Sequence, residues 1–396
     1  MLPPINNFPV NWIDGMKISK KHFVETENFF IDHLRDGLAT GITNFNYGLL
    51  PTESNQQKSL ELYVNCDYTQ QINVRLVNCR AITSSGYRIE IVRSDRMALN
   101  TSYTQILSQY NLQAVKEDVL YVTVSVNPYV RVPIGEPALE ENPPRHPFSG
   151  SEYKLNVVPS SLINTADFGA SHFIIGKIIY AAGQLSPINN YIPACTSVNS
   201  FHGLINWFYN FANLLGDMET NALKIVQKIK TKSQESTLTK SMTFVMDKVL
   251  FSLAQGIVSF KWMIPQQPPI YMIEFMLKFA QTMRTALGFL TDKEKEELLA
   301  YFAEWSGQPS GVLENKLDSL LNLKYNHLEI AQILAVVDEF FKPMSELFSK
   351  MSQIDFIGKR RGGNEIFIIE SEVADTKPAP PPPSNQDKKN RWSPMG

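Results

Sequence analysis

The sequence predicts a segregated α+β protein: an N-terminal antiparallel β-sandwich or barrel-like shell domain, then an α-helical bundle, then a disordered Pro-rich tail. Three observations carry this. Apolar and polar residues alternate at period two from about Leu60 to Ala182. From Phe201 to about Met351 apolar residues recur every three or four positions. Beyond Asp375 the chain is rich in Pro, Lys and Asn, with the run Pro380-Pro381-Pro382-Pro383. The implied bounds are 1–190, 191–355 and 356–396, and 396 residues with 43% hydrophobic side chains suffice for such a division.

Each element has its own signal. Pro3, Pro4 and Pro9 keep the start extended, and a helix follows over His22–Leu38, with Phe23, Phe30 and Leu34 on one face and Gly37 and Gly41 closing it. Leu60, Leu62, Val64 and Cys66 alternate with polar neighbours, as do Ile72, Val74 and Leu76. Ser84-Ser85-Gly86 reads as a tight turn before Tyr87–Val92. Leu120–Val126, Tyr153–Val158 and His172–Tyr180 complete the strands, and Pro133–Pro147 is a long loop. A helix of about 45 Å begins at Phe201. A second spans Leu238–Met263, ended by Pro265, Pro268 and Pro269, and a third starts at Ile270. Thr291 with Glu294 fits a capping box for a fourth helix through Trp305, and shorter helices follow at Gly311–Leu323 and His327–Met351, the last kinked at Pro343. Glu365–Ser371 reads as one strand before the tail.

Composition excludes several functions. Lys+Arg total 37 and Asp+Glu 39, so a net charge of −2 gives no general attraction for nucleic acid. Cys66, Cys79 and Cys195 are an odd count without zinc spacing, which suits a reducing compartment. The start lacks a signal-peptide pattern, and no apolar stretch is uninterrupted for the length of a membrane span: Lys177 breaks Phe173–Ala182, and Gln255 and Lys261 break Val245–Ile264. A cytoplasmic protein is the expectation. The 23 Phe and 15 Tyr suit large contacts between layers or subunits.

The search for chemistry is mostly negative. There is no phosphate loop, no His-Glu-x-x-His helix and no Gly-x-Ser-x-Gly elbow. His22, His33, His146, His172, His202 and His327 are scattered, so no metal or cofactor site is expected. Glu140 and Glu141 near His146 form the one acid/base candidate, a hydrolase site in the 133–147 loop, against the simpler reading of a solvated loop. Lys359-Arg360-Arg361 reads as a solvated basic turn or an anion contact, and the proline run as a tail or a ligand for an aromatic groove. The Phe201–Ile229 stripe, including Phe208 and Phe211, is core and also a candidate seam between subunits, with Trp207, Tyr209 and Asn210 off its main line.

The segment Asn11–Phe23 has no nucleophile with a base and reads as a docking or packing element, with Trp12 and Met16 as buried anchors and Gly15 as a turn. It resembles the N-terminal signature of the TssK family of type VI secretion baseplate proteins. There a Trp, an acidic-Gly-Met step and a Gln-His-Phe step occur in order; here they are Trp12, Asp14-Gly15-Met16 and Lys21-His22-Phe23. An aromatic-Gly-Leu step follows in the family, and Tyr47-Gly48-Leu49 matches it. Tyr191-Ile192-Pro193-Ala194-Cys195 is similar to the family's Tyr-Ile-Pro-Pro junction before the long helices. Lys17-Ile18-Ser19-Lys20 departs from the family's aromatic-Leu-Pro run, and little follows Met351 where members carry a folded head domain.

The resemblance implies a structural role without catalysis. It implies a homotrimer whose β-domain, similar to the shoulder of phage receptor-binding proteins, docks on wedge proteins of the TssF, TssG and TssE type. The helical neck would lie at the trimer axis, and the whole would link the baseplate to the envelope complex at the cytoplasmic face of the inner membrane. The contact candidates are Trp12, Gly15, Met16, His22 and Phe23, then Tyr47, Gly48 and Leu49, then Trp207, Phe208 and Phe211. A free phage-type receptor-binding or adhesion protein is the alternative.

Overall fold

The computed structural model describes residues 5–52, 58–163 and 171–359. The expected strand Glu365–Ser371, the proline run, Arg360 and Arg361 lie outside the described residues. Strands and helices segregate as the sequence predicts. The order is α1 (Lys20–Ala39), β1 (Gly48–Leu49), β2 (Leu60–Cys66), β3 (Gln71–Ile82), β4 (Arg88–Ile91), β5 (Ala98–Ser102), α2 (Tyr103–Gln109), β6 (Glu117–Ile134), β7 (Phe148–Pro159), α3 (Ser160–Ile163), β8 (His172–Ala181) and β9 (Gln184–Pro187). The helices α4 (His202–Thr231), α5 (Thr237–Met263), α6 (Pro269–Gly288), α7 (Asp292–Ser306), α8 (Ser310–Leu321) and α9 (Ile330–Gln353) follow.

The strands form two antiparallel sheets. In the first, β3 is the hub and pairs with β1, β2, β4 and β5. Its alternation is the one read in sequence: Ile72, Val74 and Leu76 are buried, and Asn73 and Arg75 point outward. The second sheet runs β7-β6-β8-β9. Val122 and Val124 of β6 and Phe173 of β8 join the same core as β3. The short elements β1, β5 and β9 have too few apolar positions for a periodic signal. The 133–147 loop is the tip of a hairpin whose strands reach further out than expected, to Ile134 and Phe148. β8 pairs with β6 only over Glu117–Ser125, so among the described residues the stretch Arg131–Ile134 against Phe148–Ser151 extends as a two-stranded ribbon.

The helical half follows its apolar stripes. Leu204, Phe211, Leu215, Met218 and Ile225 of α4 are fully buried. α4 packs against α5 and α9, and α5 against α6 and α7. The expected capping box opens α7: Thr291 Oγ1 accepts from the Glu294 N–H at 3.4 Å, and the Thr291 N–H donates to Glu294 Oε2 at 2.9 Å. Gly307 closes α7 in the left-handed conformation, φ 75°. α9 continues through Pro343. One hydrophobic cluster runs without a break from Leu49 and the sheets through α4–α9 to Ile357.

Candidate interaction surface

The N-terminal segment folds as a hook leading into α1. Gly15, at φ 79°, makes the turn, and the Met16 N–H returns to the Ile13 carbonyl at 3.3 Å. The Ser19 N–H donates to His22 Nδ1 at 3.3 Å, and the Trp12 indole meets the His22 ring edge-on at 5.8 Å. Trp12 is 50% exposed and Met16 half-buried. The expectation of two buried anchors is therefore corrected: half of Trp12 is exposed, and Met16 is only partly buried.

α1 lies on the sheets with its polar face inward. Its two buried residues are both charged, Asp32 and Arg35. Asp32 accepts from the Asn7 amide, from Arg35 Nη1 at 3.2 Å and from the Tyr129 hydroxyl. Arg35 donates to Asp36 at 2.6 Å and to the Tyr87 hydroxyl at 3.0 Å, and the Tyr87 and Tyr129 hydroxyls lie 3.2 Å apart. Burial pushes the Asp32 carboxyl up, but the hydrogen bonds from Tyr129 and Asn7, with the Arg35 charge, outweigh it and hold the carboxyl below its ordinary range. Nearby, Arg131 of β6 reaches Glu27 at 2.8 Å and Asn28 at 3.0 Å. The opposite face carries Phe23, Phe30, Leu34 and Leu38, each more than half exposed. Phe8, Ile13 and Ile18 of the preceding segment are also exposed. A helix normally buries such a stripe; here the described residues leave it exposed.

The second family-like match is internal. Gly48 and Leu49 are buried, and the Leu49 N–H donates to the Ala194 carbonyl at 2.8 Å while the Leu49 carbonyl accepts from Thr196 N–H at 2.9 Å. Gly48 has φ 116°, and a Cβ there would meet the Ala194 carbonyl oxygen at 2.1 Å, so only glycine fits. Tyr47-Gly48-Leu49 thus clasps Tyr191–Cys195, and its candidacy as a partner contact gives way to a structural role. His327 completes the clasp: its Nε2 lies 2.9 Å from the Tyr47 carbonyl and its Nδ1 2.6 Å from the Tyr325 hydroxyl. Burial lowers the His327 pKa to about 4. Beside it Glu329 receives the Tyr121 hydroxyl at 2.6 Å and Lys177 at 2.8 Å, tying the second sheet to the start of α9.

In α4, Phe208 and Phe211 are buried in the chain's own core, which removes both as partner contacts; Trp207 is half-buried against Phe211, and Asn210 is bonded to Asp338 at 2.8 Å. The outward apolar residues are instead Tyr209 and Leu223 of α4 and Phe251, Val258 and Trp262 of α5, the last 77% exposed. Among the described residues Thr237–Gln266 is long and apolar enough to cross a membrane by length and composition, with 28% of its most apolar window buried. Gln255 and Lys261, which interrupt it in sequence, both lie on its exposed side.

The 133–147 loop offers no enclosed acid/base pair. Glu140 is exposed, Glu141 is paired with Arg145, and His146 Nδ1 lies 2.7 Å from the Gly135 carbonyl. Among the described residues no group of three or more His, Cys, Asp or Glu is placed to hold a metal. Cys66 and Cys79 are on paired strands but opposite ends of the pairing, facing Ile72 and Leu60, and both are free thiols. Burial pushes the Cys66 thiol to about 11, with Asp67 adding to it, and Cys79 further, so neither is a ready nucleophile.

Solved structures similar to this chain include TssK and type VI secretion baseplate complexes. A crystal structure of TssK shares 12% identity at TM-score 0.49, covering 85% of this chain and 70% of that one. A TssK-TssF-TssG baseplate subcomplex of the type VI secretion system shares 11% identity at TM-score 0.47, with 85% and 99% covered. A type VI baseplate complex shares 9% at TM-score 0.48, with 87% and 100% covered. No family model and no curated protein matches the chain.

Proposed function

We propose that this chain is a non-enzymatic structural component of a type VI secretion baseplate, a TssK-type adaptor. The observation that carries the reading is the inverted placement of α1: the segment holding Trp12, Gly15, Met16, His22 and Phe23 is fastened by its polar side and offers its apolar side to a partner. That partner is a wedge protein of the TssF, TssG or TssE type. The outward residues Tyr209, Leu223, Phe251, Val258 and Trp262 belong to the seam of a homotrimer on this reading, since they leave apolar and aromatic side chains of α4 and α5 exposed. The complex would sit in the cytoplasm against the inner membrane and pass force between wedge and envelope complex.

Co-expression with the wedge subunits, followed by affinity capture and light scattering, tests this. The expected result is a trimer that retains the wedge proteins. A monomeric mass together with no wedge capture would sink the reading. An intact, folded protein recovered outside the cell would favour the receptor-binding alternative instead.

A further inference from the structure

We infer that the outer face of the first sheet holds a binding patch for an acidic oligosaccharide, built on Arg75 and a row of asparagines. The inference does not rest on the baseplate reading. Cross-strand register places Asn65 of β2, Asn73 of β3 and Asn100 of β5 directly opposite one another, so neighbouring Cβ atoms in the row are about 5 Å apart. The next outward row is Tyr63, Arg75 and Ala98. The residues of both rows are exposed, while Ile72 and Val74, which alternate with them on β3, are buried in the core. Asparagine is disfavoured in strands, and a row of it on a solvent face gains nothing from packing.

Neighbouring polar groups on this sheet satisfy one another. Glu90 accepts from Arg80 at 2.8 Å and from Arg88 Nε at 2.9 Å, and Glu61 accepts from Tyr63 and Asn78, each at 2.8 Å. Among the described residues no such partner engages the amides of Asn65, Asn73 and Asn100 or the guanidinium of Arg75. The amides offer both N–H donors and carbonyl acceptors, whereas the guanidinium only donates. A carboxylate or phosphate group only accepts and would leave the amide carbonyls unused; a sugar hydroxyl both donates and accepts. Sugar hydroxyls along the amide row, with a carboxylate on Arg75, use every group of the patch. Ala98 leaves the guanidinium open on its β5 side, and Tyr63 on the β2 side offers a ring, 56% exposed, to the apolar face of a sugar. The turn between β4 and β5 carries exposed Arg93 and Arg96 against one acid, Asp95, so the surroundings are positive and complement an anionic ligand.

Calorimetric titration of the full chain tests this, with trigalacturonate as the probe and maltotriose and triglutamate as neutral-sugar and acidic-peptide comparisons. Trigalacturonate should bind with a Kd of about 1 mM or tighter, more weakly at high salt, and the other two should not bind. Arg75→Ala should weaken binding about tenfold and Asn73→Ala about threefold. Arg88→Ala, whose guanidinium is held by Glu90, should change it less than about twofold. These positions are exposed, so melting temperature should stay the same. No binding of trigalacturonate overturns the inference. Equal binding of triglutamate also overturns it, since charge alone would then explain the attraction. Binding that Arg75→Ala leaves intact places the site elsewhere and rejects the patch. Should Arg75→Ala lower the melting temperature, the isosteric Asn73→Asp decides: its added negative charge must abolish binding, and retained binding rejects the site. None of these outcomes bears on wedge capture, so the baseplate reading stands or falls separately.

Discussion

α1 and α4 are both long amphipathic helices, and they are laid down in opposite senses. α4 buries Leu204, Phe211, Leu215 and Ile225 and turns its charges outward; α1 buries Asp32 and Arg35 and turns out Phe23, Phe30, Leu34 and Leu38. The difference teaches that a helical stripe identifies the apolar face but not what covers it. For α4 the cover is α5 and α9 of the same chain. For α1 the described residues provide no cover over Phe23, Phe30, Leu34 and Leu38, and a specific polar pin replaces core packing. Since a buried ion pair is weak evidence for stability, the pin is better understood as fixing orientation than as strengthening the fold.

Four substitutions or conditions would break or sharpen that contrast. Phe211→Ala removes a fully buried ring from α4 and should cost about 3–5 kcal/mol, read as a lower denaturant midpoint; a loss comparable to a surface change would mean α4 is not core. Lowering the pH acts on the junction next. His327 is held neutral when folded, at about 4 against 6.5 for the exposed group, so the unfolded chain binds more protons between those values. Stability should therefore be complete above about pH 6.5 and fall by roughly 3 kcal/mol as pH drops toward 4. His327→Gln should flatten melting temperature across that window, and an unchanged profile would refute the assignment. Asp32→Ala should cost roughly 2 kcal/mol, less than a fully severed buried pair, because Asp36 and Tyr87 still hold Arg35; hydrogen exchange should locate the loosening in α1. Phe30→Ser with Leu34→Ser should change stability by no more than about 0.5 kcal/mol per site. A large destabilisation there would show that the α1 stripe is buried in the isolated protein after all.

The long elements were legible because their patterns are long. The alternation at Ile72–Leu76 and the stripe from Leu204 to Ile229 each gave the right element and the right buried face. What escaped reading depended on contacts distant in sequence. Trp12 and Phe23 have the composition of anchors, and only the three-dimensional placement of Tyr87, Tyr129 and Asn7 reveals that α1 is held by its other side. Tyr47-Gly48-Leu49 stands out in the sequence as a motif, but its closure on Ala194 and His327 joins chain segments more than a hundred residues apart. Asp32 and Arg35 gave a usable hint: an Asp and an Arg at i, i+3 opposite an apolar stripe, with no acidic or basic run around them. Val132, Ile134 and Phe148 carry no strand signal in the sequence, because the prolines of the 133–147 segment have the pattern of a loop.

The clasp between Leu49 and Thr196, 147 positions apart, has a consequence for synthesis. β1 is among the first strands to be made, yet its partner emerges only after both sheets are complete. At ~5–20 residues per second, roughly 7–30 seconds separate them. During that interval the Leu49 carbonyl is without Thr196 and the Leu49 N–H is without the Ala194 carbonyl. We predict that ribosome-bound chains arrested at residue 190 are cleaved by protease near Leu49, and that chains long enough to expose residue 200 beyond the exit tunnel are not. Equal resistance at both lengths would show that the first sheet closes without its clasp.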